Sequence, residues 1–128
     1  MTPKLTPIEQ QVLLRAAEII SDKAHWIQGS FGNWSCLQDE PRVCALGAVR
    51  RATAELISPG LDQVTRLILM STNGSPDRRT YETVAATLYR AVSTSVPVVN
   101  DNQGHDAVKA MFCKAIKAEV QADATSQG

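Results

Sequence analysis

The sequence predicts an all-α fold, a compact bundle of four main helices plus one short helix. Three observations predict it. Apolar residues recur at three- and four-residue spacing in successive stretches of the chain. Thr6-Pro7, Asp62 and Ser75-Pro76 stand where helices should start. No alternation of strand-like and helix-like segments, of the kind that builds a parallel sheet, is present.

Thr6-Pro7-Ile8-Glu9 opens the first helix. The threonine caps, the proline sits where a missing N–H leaves nothing unpaired, and the glutamate reaches back to the cap. Ile8, Val12, Leu13, Ala16, Ile19 and Ile20 then share one face, up to about Asp22. Residues 25–42, HWIQGSFGNWSCLQDEPR, break the pattern with two glycines, two tryptophans and Pro41. Each indole buries a large area, so a structured loop is expected.

From Cys44 the helical spacing returns through Leu46, Val49, Ala52, Leu56 and Ile57, and Pro59-Gly60 stops it. Asp62 caps a short third helix with Val64, Leu67, Ile68 and Met70 apolar. Ser75-Pro76 opens a fourth that carries Tyr81, Val84, Ala85, Leu88, Tyr89 and Val92. SVPVV reads as extended, because a residue before proline is steered away from the helical region and β-branched residues flank it. NDNQGHD leads into a last helix with Val108, Met111, Phe112, Ala115, Ile116 and Val120 on one stripe, and the tail should fray.

A chain of 128 residues suits one domain, with a core over about 6–122 and a flexible tail at 123–128. Thirteen basic residues balance thirteen acidic ones, which argues against a protein devoted to neutralising nucleic-acid phosphates. The arginine pairs Arg50-Arg51 and Arg78-Arg79 leave a local basic patch open, but such pairs on amphipathic helices read first as a solvated face. Cys36, Cys44 and Cys113 form no C-x-x-C pair. The first residues hold no apolar signal region, and no uncharged stretch approaches a membrane span. A cytoplasmic protein with free thiols and no membrane association is therefore expected.

Three stretches carry candidate chemistry. Cys44 lies at a helix N-terminus, where unpaired N–H groups favour a thiolate, and Gly47 lets a ligand or another backbone approach. The same residues, with Ala45 and Ala48, would also serve as a small-residue face between two helices. In NDNQGHD, Asp101 or His105 would orient or deprotonate the thiol; equally, Asn100, Asp101 and Asn102 are cap-forming residues and Gly104 a turn residue. In HWIQG, the Gln28 amide could stabilise an oxyanion or tie the loop to a helix end. No calcium loop, zinc-ligand spacing, phosphate-binding loop or hydrolase motif is present, so neither metal nor cofactor is expected.

Taken together, W-I-Q-G, V-C-A-L-G-A-V-R-R-A and V-V-N-D-N-Q-G-H-D-A-V resemble a family of small uncharacterised proteins from actinobacteria, other bacteria and phages. Its members carry W-x-Q-G, C-[CA]-L-G-[AV] and a late N-D pair that opens the last helix. The resemblance spans roughly residues 10–120 and implies that Trp26, Gln28, Gly29, Cys44, Gly47, Asn100 and Asp101 are family positions. It implies no activity. Val99 stands where many members have an aromatic or leucine, Ala45 where many have a second cysteine, and His105 has no counterpart in the pattern.

The resemblance brings the polar residues of all three stretches into one set, and the expectation is that they meet where the second helix begins. That meeting place is either a binding site formed by Trp26, Gln28, Gly29, Cys44, Asn100 and Asp101 or a buried hydrogen-bond network. The leading expectation is a small accessory or binding protein, of the kind phages and mobile elements carry, contacting a protein or small molecule. The alternatives are a cysteine-dependent hydrolase or transferase with Cys44 as nucleophile, served by Asp101, His105 and Gln28, and a nucleic-acid accessory protein using the arginine pairs.

Overall fold

The computed structural model of the chain describes residues 5–26, 43–92 and 95–127. Six α-helices form among the described residues: α1 (Pro7–Ser21), α2 (Ala45–Ile57), α3 (Gln63–Ser71), α4 (Pro76–Arg90), α5 (Val96–Val98) and α6 (His105–Gln127). A 3-10 turn, Lys23–His25, follows α1, and a π-turn, Val99–Gln103, joins α5 to α6. No strand forms among these residues.

The helix starts follow from local chemistry. Thr6 Oγ1 accepts from the Glu9 backbone N–H while Glu9 Oε1 accepts from the Thr6 N–H at 2.8 Å, a reciprocal capping box. Asp62 accepts from Thr65 N–H at 2.7 Å and Ser75 from Arg78 N–H at 3.1 Å. Binding the Thr65 amide also holds the Asp62 carboxyl below its ordinary pKa.

α1 buries Val12, Leu13, Ala16, Ile19 and Ile20 against α2, α4 and α6. α2 is the central element, since every residue from Val43 to Arg50 is buried. Tyr81, Val84, Ala85 and Leu88 of α4 and Val108, Met111, Phe112 and Ala115 of α6 complete the core. Fully burying a side chain such as Ile20 or Phe112 contributes roughly 1.5–3 kcal/mol.

Three expectations change. SVPVV is not extended but forms α5, which makes six helices instead of five. Ser95 caps that turn, accepting from Val98 N–H, and Pro97 sits in a first turn where no N–H needs an intrahelical partner. Second, Val64, Ile68 and Val120 lie largely in solvent, and Tyr89 is partly exposed, although they share the apolar spacing. Third, α6 runs on to Gln127, through the stretch read as a tail. None of the helices among the described residues is long and apolar enough to cross a membrane.

Candidate functional site

The site grows from the place where the chain returns after residues 27–42. Trp26 and Val43 form a single parallel β-bridge, and Val43 N–H donates to the His25 carbonyl at 2.7 Å. The backbone on either side of that stretch is therefore pinned together at the base of α2. Cys44 follows in extended conformation as the N-cap of that helix.

A helix N-terminus presents N–H groups without intrahelical partners. Here the protein itself uses them. Ala45 N–H donates to Asn100 Oδ1 at 3.0 Å, and Gly47 N–H donates to Cys44 Sγ at 3.3 Å. Ala48 N–H makes the first regular helical bond, to the Cys44 carbonyl.

Asn100 is the centre of the cluster. It is 1% exposed and sits in the π-turn just before Gly104, whose φ of 95° suits glycine. Its Oδ1 also accepts from Trp26 Nε1 at 2.8 Å, and two donors on one atom identify it as the oxygen. The Nδ2 group donates to Asp101 Oδ1 at 3.0 Å. One carboxamide thus joins the end of the 3-10 turn, the start of α2 and the π-turn.

His105, the first residue of α6, lies on Trp26, with ring centroids 5.2 Å apart. Its Nε2 is 2.7 Å from the Ile20 carbonyl in the last turn of α1, so that nitrogen carries the proton and donates. No hydrogen bond joins His105 to Cys44.

The electrostatics of Cys44 run against the thiolate that a helix N-terminus alone would favour. Burial pushes its pKa up; the Gly47 and Leu46 amides and the charge of Arg50 pull it down, and Asp101 pushes it up again. Burial prevails and the net shift is upward. The residue is 7% exposed, and neither it nor Cys113 is in a disulfide.

The structure therefore brings together Trp26, Cys44, Asn100 and Asp101, and sets His105 behind Trp26. Gln28, Gly29 and Cys36 lie outside the described residues. Among the described residues no group of three or more His, Cys, Asp or Glu side chains could hold a metal ion.

Residues 6–118 match a family of unknown function, DUF6197. The chain belongs to this family. The match runs from the cap of α1 into α6 and so includes every described residue of the cluster. No curated protein and no solved structure matches this DUF6197 member.

Sequence reasoning missed Arg50. Read as half of a solvated pair, it is 7% exposed, with its guanidinium 4.9 Å from the centre of the Tyr81 ring. Arg78 approaches the same ring at 5.6 Å and pairs with Glu82 at 2.7 Å. The signal was present in ALGAV, residues 45–49. A helix that opens with no polar face is surrounded on all sides, so the next arginine must be buried too. Cation–π contact and a packed stem make that burial tolerable.

Proposed function

We propose that this DUF6197 protein works by binding a partner, and that the cluster at the start of α2 is a keystone holding the fold instead of a reaction centre. One observation carries the reading. Donors that an anion or oxyanion would need at this helix N-terminus are taken up internally, Ala45 by Asn100 and Gly47 by the Cys44 sulfur. A thiol whose pKa is raised is a poor nucleophile at neutral pH. Free thiols at Cys44 and Cys113 accord with a reducing cytoplasm as its compartment.

A cysteine enzyme is the second reading, favoured by the Gly47 amide and the Arg50 charge directed at Cys44. Site-resolved alkylation at neutral pH separates the two. The binding reading expects exposed Cys113 to react first and Cys44 to react at an appreciable rate only in denaturant. It further expects complexes cross-linked in the native host to survive Cys44→Ala. Preferential labelling of Cys44 in the folded protein, with loss of function in Cys44→Ala, would establish the enzyme instead.

A further inference from the structure

The binding reading leaves open which surface meets the partner. Resting on that reading, we propose that the trough between the end of α4 and α6 receives an acidic helical segment of a partner protein. Two neighbouring concavities, of about 330 Å³ and 130 Å³, lie along it and share Ala91 and Lys114 on their walls. On α6, Ala107, Ala110 and Ala118 line it at helical spacing. Side chains that small let a second helix approach closely.

Two cations rise from this apolar floor, Arg90 and Lys114. Arg15 is held by Glu55 and Glu18, and Arg78 by Glu82. Arg90 instead donates to the Thr87 hydroxyl at 3.1 Å, and among the described residues neither it nor Lys114 meets a carboxylate. The carboxylate in the trough wall, Glu119, is buried and already accepts the Leu5 N–H at 2.8 Å. In a chain of zero net charge, an apolar trough with two uncompensated cations selects a partner that is apolar on one face and acidic beside it.

The test uses the full-length protein and a fluorescein-labelled, helix-forming peptide of alanine, leucine and glutamate. Fluorescence anisotropy should show binding that weakens with salt, and alanine-methyl NMR should place the shifts at Ala107, Ala110 and Ala118. Replacing Arg90 and Lys114 together by glutamate should weaken binding by at least about tenfold. Lys109→Glu, a change to an exposed α6 residue outside the trough, should leave it unchanged. Equal binding of a peptide with lysine for glutamate, indifference to the charge reversal, or tighter binding of a DNA oligonucleotide would overturn the assignment. Cross-linked complexes that survive both Cys44→Ala and the double charge reversal would remove this trough while leaving the binding reading intact. Their loss in a Cys44→Ala protein that circular dichroism shows to be folded would instead remove the reading itself.

Discussion

Asn100 Oδ1 accepts the backbone N–H of Ala45 at 3.0 Å across 55 residues of sequence. A side chain from the π-turn before α6 therefore completes the start of α2, a helix to which it does not belong. The same atom takes the indole N–H of Trp26. The two polypeptide ends flanking residues 27–42 are thus held by one buried oxygen.

Removing that oxygen should be costly. In Asn100→Ala two donors lose their acceptor inside the protein, and a loss of about 1–3 kcal/mol is expected in chemical denaturation. Tryptophan emission should move to the red as Trp26 loosens. Asn100→Asp restores an acceptor but sets a second carboxylate beside Asp101, so it should recover only part of the loss.

Asp101 should matter less to stability than to the thiol. Its side chain is exposed, and Asp101→Asn retains an oxygen for the Asn100 amide, so the expected loss is under about 1 kcal/mol. Its charge raises the Cys44 pKa. Asp101→Asn should therefore lower that pKa, measured by thiolate absorbance with Cys36 and Cys113 replaced by serine.

The raised Cys44 pKa also gives stability a pH dependence. The folded chain holds the thiol proton more tightly than the unfolded chain does, so this contribution is fully present below the unfolded thiol pKa, about 8.5. It is lost as pH rises from there through the folded pKa. Melting curves should fall across that alkaline window, and in Cys44→Ala the fall should be smaller. An identical slope in the two proteins would contradict the burial of the thiol.

Arg50 and Arg79 should behave as opposites. Arg50→Ala removes a buried stem and a guanidinium over Tyr81, and a loss of about 2 kcal/mol or more is expected from denaturation curves. Arg79 is exposed, and its replacement by alanine should change stability by less than about 0.5 kcal/mol.

His105→Ala should cost about 1 kcal/mol, since the Ile20 carbonyl loses its donor at the end of α1. The Trp26 contribution to near-ultraviolet circular dichroism should change with it, because the two rings are in contact.

The features legible in the sequence are those decided within three or four residues. Thr6 and Glu9 cap each other, and Asp62 and Ser75 each cap the turn that follows, because both partners lie on one turn. The meeting of Trp26, Cys44, Asn100 and Asp101 was expected from their motifs, with a hydrogen-bond network as one of two alternatives, but not which atoms would bond. Nothing local reveals that Asn100, read as a cap for α6, bonds to α2. SVPVV misled because proline suits an extended strand and a helical first turn equally well, and the burial of Val96 and Val99 selects the turn. Of the arginine pairs only Arg50 misled, because charge alone does not say how many neighbours surround a helix.

Native-state hydrogen exchange at the Ala45 amide tests the keystone most directly. If the Asn100 oxygen closes the start of α2, this first-turn N–H should exchange as slowly as the helix interior, and Asn100→Ala should release it. Exchange of the wild-type Ala45 amide at the rate of an unprotected N–H would contradict the account.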